Sequence, residues 1–258
     1  MALLEVKDLC KSFSGQLFEK QKQVLFNVSF KLPEGATSGF VGNNGSGKTT
    51  TIKCIFEFIR PDSGQILLKG QKMSSEMKAR IGYLPERPYL YEFLTGMEFL
   101  RLHWNLCHDG RTGNFIEKAH SALKKVDLFE ARDKKLRQYS KGMLQRAGLA
   151  QAILNDPELL ILDEPMSGLD PDGRLMVKDI LREQQKKGVN IFFSSHLLQD
   201  MEELCQHLVV INFGKIIYDG SLPQFMAEYS SLEVAFKAAK NREMPQVSKT
   251  ESEQGARK

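Results

Sequence analysis

Gly42-Asn43-Asn44-Gly45-Ser46-Gly47-Lys48-Thr49 carries the G-x-x-x-x-G-K-[ST] spacing of a loop that cradles phosphates. The chemistry follows from residue type. Gly42, Gly45 and Gly47 let the backbone turn tightly and aim its N–H groups at an anion. A helix starting near Lys48 adds the positive end of its dipole. Lys48 is expected to bridge the β- and γ-phosphates of a nucleoside triphosphate. Thr49 is expected to ligate Mg²⁺, and Thr50 to place a hydroxyl near the α-phosphate. The bland alternative is a glycine-rich turn with a chance lysine. An apolar segment before the loop, residues 36–41, and a helical pattern after it argue against that alternative.

A second chemical group lies far along the chain. Leu159-Leu160-Ile161-Leu162 is a continuous apolar run, as in a parallel strand buried on both faces, and it ends in Asp163-Glu164. Carboxylates at the C-terminal end of such a strand face the ligand crevice of an open α/β sheet. Asp163 is expected to hold Mg²⁺ through water. Glu164 is placed to orient and deprotonate an attacking water, the part of phosphoryl transfer that positioning can supply. Alone, this acidic strand end reads as easily as a solvated one; the phosphate loop tips the balance.

These groups need a scaffold. The 258 residues suffice for one large domain, or one with an inserted subdomain. Strand patterns surround Leu4, Val6 and Leu9, and cover residues 24–32, 36–41, 65–68 and 81–84. Helical spacing follows the loop over residues 49–59, with Ile52, Ile55, Phe56 and Ile59 on one face. From about residue 87 to 155 strand signals give way to helical ones, at 98–107, 115–126 and 142–154. Strands return at 159–162, 191–194 and 208–211, separated by helical patterns at 174–187 and 197–205. Alternation of this kind predicts a mostly parallel sheet with crossover helices. The polar tail after residue 236 is expected to be disordered.

Composition narrows the classes. With 41% hydrophobic and 26% charged residues, global disorder is excluded. No apolar run approaches the ~20 residues that span a bilayer. The net charge of +4 is spread along the chain, so no nucleic-acid partner is indicated. Cys10, Cys54, Cys107 and Cys205 have neither disulfide-framework nor metal spacing, which fits a reducing compartment. No secretory leader is evident at the N-terminus.

Taken together, the motifs resemble the ATP-binding subunits of ATP-binding cassette (ABC) transporters over residues 3–236. Tyr139-Ser140-Lys141-Gly142-Met143-Leu144-Gln145-Arg146 is similar to the family signature, usually LSGGQ-x-QR. Ser167-Gly168-Leu169-Asp170 resembles the D-loop, His196 the switch histidine, and Ile81-Gly82-Tyr83-Leu84-Pro85-Glu86 takes the Q-loop position. The resemblance implies an α/β P-loop NTPase cassette: a mostly parallel core sheet, an N-terminal antiparallel β subdomain and an inserted α-helical subdomain at about 87–155. It implies ATP hydrolysis with Mg²⁺, and a two-fold dimer holding two ATP molecules. Ser140 and Gly142 would close over the partner copy's γ-phosphate, Asp170 would lie at that interface, and His196 would sense the γ-phosphate. Read alone, Ser140 is an N-capping serine.

Three positions depart from the family pattern: Glu86 replaces the Q-loop glutamine, Lys141 a glycine and Met143 a glutamine. GYLPE with YSKGM-x-QR resembles the type-2 exporter branch. Glu86 would still reach Mg²⁺ or water. Phe13 takes the position of the family's adenine platform, with Phe18 a weaker candidate. A membrane permease would dock between Glu86 and Met97, near Tyr89, Tyr91 and Phe93, placing the protein at the cytoplasmic face of the membrane. The motifs also allow a soluble ABC ATPase without a transport role, for example in assembly or regulation.

Overall fold

The computed structural model describes residues 2–14, 22–88, 90–108 and 113–242. Two long strands, β1 (Ala2–Phe13) and β2 (Lys22–Pro33), pair antiparallel and bury Leu4, Val6, Leu9, Val28 and Phe30 on one face. The chain then enters β3 (Thr37–Val41), whose residues are all buried. The phosphate loop follows, and α1 (Lys48–Ile55) starts at its lysine.

The helix is shorter than its apolar spacing predicted. Phe56 caps it, and Glu57 turns left-handed at φ 59°. The chain has to reverse here into β4 (Ser63–Leu68), which pairs with β1 and with the short β5 (Gln71–Lys72). These strands form an antiparallel sheet of order β2-β1-β4-β5.

After α2 (Ser75–Ala79) and β6 (Ile81–Leu84), the expected helical insertion appears. It contains α3 (Gly96–Cys107), α4 (Phe115–Lys125) and α5 (Lys141–Ile153), with 3-10 turns at Phe129–Ala131 and Leu136–Gln138. Thr95 and Glu98 start α3 with a reciprocal capping box. Trp104, Phe115, Leu123 and Leu128 bury its centre.

The remaining elements alternate. They are β7 (Leu159–Asp163), α6 (Pro171–Lys186), β8 (Asn190–Ser195), α7 (Leu198–Leu204), β9 (His207–Asn212), β10 (Lys215–Ser221), α8 (Leu222–Met226) and α9 (Leu232–Arg242). The central sheet has the order β10-β9-β3-β8-β7-β6. It is parallel except for the β9–β10 hairpin.

Hairpin strand β10 and helix α9 lie outside the elements predicted from sequence. α9 corrects the expected disorder after residue 236. Leu232 and Ala235 are buried, α9 packs on α7, and the helix runs on to Arg242. Residues 243–258 lie outside the described residues. No helix among the described residues is long and apolar enough to cross a membrane.

Successive residues of a strand face opposite sides of the sheet. Phe192 therefore enters the layer shared with the antiparallel sheet, and Phe193 the layer shared with the helical insertion. In the first layer Phe30, Phe40 and Phe192 meet with ring centroids 5.3–5.7 Å apart. The trio joins β2 to β3 and β8, and so ties the two sheets together. Phe192→Ala is expected to lower unfolding stability by about 3–5 kcal/mol, checked by denaturant titration.

Candidate active site

Parallel pairing brings separate strand ends to one edge. Val41 pairs with Ser195, Asp163 with Ser194, and Leu84 with Leu162. The segments that follow these pairs are the phosphate loop, Glu164, His196 and the stretch holding Glu86. A cavity of about 1060 Å³ opens over them. Asn44, Gly45, Gly47, Lys48, Thr49, Thr50, Glu86, Glu164, Ser167 and His196 are part of its wall.

The loop is braced from within. Gly47 caps α1 with φ 111°, a conformation that disfavours a Cβ, and an added Cβ would also meet Leu25 at 2.7 Å. The Ser46 N–H donates to the Asn43 carbonyl, and the Thr51 hydroxyl to the Gly47 carbonyl. Lys48 folds back over the loop. Its Nζ donates to the Gly42 carbonyl at 2.8 Å and to that of Asn43 at 3.4 Å. Burial pulls the Lys48 pKa down, while Glu164, Asp163 and Glu86 counter that pull. Asn43 is exposed, and Ser46 is buried with a hydroxyl that has no hydrogen-bond partner.

The acidic strand end is tightly organised. Ser194 Oγ donates to Asp163 Oδ1 at 2.6 Å and accepts the Glu164 N–H at 2.9 Å. Glu164 sits in the left-handed region at φ 52°, which turns its side chain out of the strand line. Its Oε2 lies 2.7 Å from His196 Nδ1, and its Oε1 lies 3.9 Å from Lys48 Nζ. The carboxylate thus stands between His196 and Lys48.

Buried Gln145 of α5 donates to the carbonyls of Glu164 and Pro165. That contact links α5 to the Glu164 turn. Neither Gln145 nor Ser194 was assigned a role from sequence. The signal for Ser194 was its place at the end of an apolar strand.

The residues also fit a divalent cation. Burial raises the Asp163 pKa, with Ser194 and Thr49 opposing the rise. Asp163 Oδ2 is buried without a hydrogen-bond partner. Among the described residues no group of three or more His, Cys, Asp or Glu forms a ready-made metal cage. One carboxylate and one hydroxyl beside phosphates is the donor set that Mg²⁺ uses.

Other expected residues stand apart from the cavity. Ser140 caps α5 and accepts the Met143 N–H at 3.2 Å. Asp170 caps α6 and accepts the Gly173 N–H at 2.9 Å. Gly142 faces Leu169, and Gly168 lies against the Lys141 side chain. Met143 packs against the core of the helical insertion.

Phe13 ends β1 opposite Lys22, is 39% exposed and is not among the residues that line the cavity. The wall there is built by β2, through Lys22, Gln23, Val24 and Phe26, and by Phe213 and Lys215 of the β9–β10 hairpin. Phe18 and Tyr89 lie outside the described residues. Tyr91 and Phe93 are 55% and 68% exposed, with ring centroids 5.8 Å apart.

Comparison with known proteins matches this geometry to a family. The family model for ABC transporters matches residues 25–167, more than half of the chain. An uncharacterized ABC transporter ATP-binding protein of Nostoc sp. is 40% identical, over 90% of this chain and 70% of that protein. The SkfA peptide export ATP-binding protein SkfE of Bacillus subtilis is 34% identical, over 87% of this chain and 92% of that protein. A solved ATP-binding subunit of an ABC transporter superposes with a TM-score of 0.81 at 31% identity, covering 92% of this chain and 99% of that one. The chain therefore belongs to the ABC transporter ATP-binding proteins, the ATPase subunits of these transporters.

Proposed function

We propose that this ATPase drives export through a separate membrane permease, and that Glu164 activates the water that cleaves ATP. The observation that carries the catalytic reading is the Glu164 carboxylate between His196 and Lys48. ATP lies along the phosphate loop, its phosphates on the loop N–H groups, Lys48 and the Thr50 hydroxyl. Water attacks the γ-phosphorus and gives a proton to Glu164. The bond from that phosphorus to the leaving oxygen breaks, releasing ADP and inorganic phosphate. His196 holds Glu164 through Nδ1, which leaves Nε2 to address the γ-phosphate. Mg²⁺, held by Thr49 and Asp163 with Glu86 in reach, would neutralise charge on the phosphates.

The signature supports a dimer. Ser140 and Gly142 stand at the N-terminus of α5, away from their own chain's cavity, with helix N–H groups ready for an anion. A second copy, or a related cassette, would bring its phosphates there, with Asp170 at the interface. ATP binding then closes the pair and loss of the γ-phosphate reopens it. The cassette proper spans residues 1–236, with the helical insertion at about 87–155.

Two features support export and docking. SkfE is a peptide export ATP-binding protein, and the GYLPE and YSKGM segments resemble the exporter branch. Tyr91 and Phe93 give the segment between Glu86 and Met97 an exposed apolar surface for a permease. The protein would then sit peripherally at the cytoplasmic face of the membrane, with no nucleic-acid partner. The relatives are transporter subunits, which removes the support for a soluble assembly or regulatory ATPase.

Glu164→Gln is expected to keep ATP binding and to slow turnover by about 10²–10⁴-fold in a phosphate-release assay; turnover at the parental rate would exclude Glu164 as the base. Ser140→Arg is expected to bind ATP as a monomer and to lose ATP-dependent dimerisation on gel filtration. Tyr91→Glu combined with Phe93→Glu should leave ATP affinity unchanged. In detergent extracts of source membranes, that variant should no longer co-purify with a polytopic membrane protein.

A further inference from the structure

Asn43 is the first exposed residue of the phosphate loop, and a side chain from the far end of the chain holds it. Lys240 Nζ, near the end of α9, donates to Asn43 Oδ1 at 3.3 Å across 197 positions of sequence. The Asn43 carbonyl is engaged as well. It accepts the Ser46 N–H at 3.1 Å and a hydrogen bond from Lys48 Nζ at 3.4 Å. One loop residue is thus gripped by two lysines, one on its side chain and one on its backbone.

A lysine in the last turn of a helix is ordinarily accounted for by the helix dipole. That account requires neither a ring beneath the ammonium nor a partner on another element, and Lys240 has both. It is half-buried, and its Nζ lies 5.1 Å from the ring centroid of Phe236, one helical turn earlier. Phe236 in turn packs against the apolar core. Among the described residues Lys240 has no carboxylate within ion-pair distance. Two cations directed at one residue repel each other, and an anion on the loop offsets that repulsion.

The helix is anchored at its other end. Leu232 and Ala235 are buried, and the Leu232 N–H donates to Glu202 of α7 at 3.4 Å. α7 itself begins at Leu198, just after His196. The 11 residues of α9 span about 16 Å. α9 therefore bridges the helix that follows His196 to the phosphate loop. Lys240 does not line the cavity, so its route to a bound nucleotide runs through Asn43.

We propose that Lys240 is a positioning residue for ATP. By holding Asn43 it fixes the loop peptide that seats Lys48, and so it sets affinity at the phosphate end of the nucleotide. The helical residues after 236, beyond the cassette proper, then work in the ATP site. The proposal rests on the ATP-binding reading above.

The test compares the full-length chain with Lys240→Ala, Lys240→Arg, Asn43→Ala and the Lys240→Ala/Asn43→Ala pair by titration calorimetry in Mg²⁺ buffer. The ligands are ATP and inorganic tripolyphosphate, which has the phosphates and no nucleoside. Lys240→Ala should weaken both ligands by the same factor, about fivefold. Its KM for ATP should rise about fivefold with kcat within about twofold of the parent, and its melting temperature should stay within about 2 °C. Lys240→Arg keeps the charge and a donor, and should bind like the parent. Asn43→Ala removes the acceptor and leaves the carbonyl that Lys48 uses; the pair should lose no more than the weaker-binding single variant. The proposal is overturned if Lys240→Ala binds both ligands within about twofold of the parent. It is also overturned if the two single losses multiply in the pair, because Lys240 would then act as a distant charge and not through Asn43. Loss of ATP affinity with tripolyphosphate unchanged would sink it too, since the effect would lie away from the phosphates. A parent chain that binds neither ligand would instead overturn the nucleotide reading, and this role with it.

Discussion

Register between β3, β8 and β7 is the constraint on which the site depends. Each strand is buried on both faces, and its side chains alternate between two apolar layers. A slip of one residue would exchange those layers and send Phe192 and Phe193 to each other's places. The same slip would part Asp163 from Ser194 and Val41 from Ser195. Core packing and site geometry are therefore fixed by one set of backbone hydrogen bonds. The chemistry then sits where parallel strands end, because only there do separate loops converge on one point.

Charge organisation follows from that convergence. Lys48 is buried, and burial disfavours its charged form; the surrounding carboxylates and loop carbonyls offset the penalty. Asp163 is buried too, and its Oδ2 has no protein partner. A positive lysine and an unsatisfied carboxylate side by side form a surface suited to a metal–polyphosphate complex, which carries both charges. The Ser194 hydroxyl serves both acidic residues, accepting from the Glu164 backbone and donating to Asp163. Gln145 links the same turn to α5. Any movement of Glu164 has a direct mechanical route to the helix that would face a second cassette.

Two of the left-handed residues flank the phosphate loop. Glu164 and Phe213 both occupy the left-handed region, one on each side of the phosphate loop. Neither residue type favours that region, and both belong to the cavity wall. Local backbone preference gives way there to the position a side chain must take.

The sequence by itself determined the phosphate loop, the buried strands beside it and the order of the motifs. Those signals are local: glycines where the backbone must turn, a lysine at a helix start, apolar runs where a strand is buried on both faces. Helix α5 was legible for the same reason, with Ser140 as its cap. The tertiary structure decided what depends on distant partners. Glu164 and His196 meet across 32 positions of sequence through the β7–β8 register. α1 ends early because the chain must turn back toward β1. α9 forms because Leu232 and Ala235 find α7 and α8 to pack on, and it carries into the helix the residues 237–242 that read as the start of a polar tail. One wall of the cavity joins β2 to a hairpin turn more than a hundred residues further along the chain. Local chemistry sets what a segment can bind, and the pairing of strands far apart in the chain sets which side chains share a cavity.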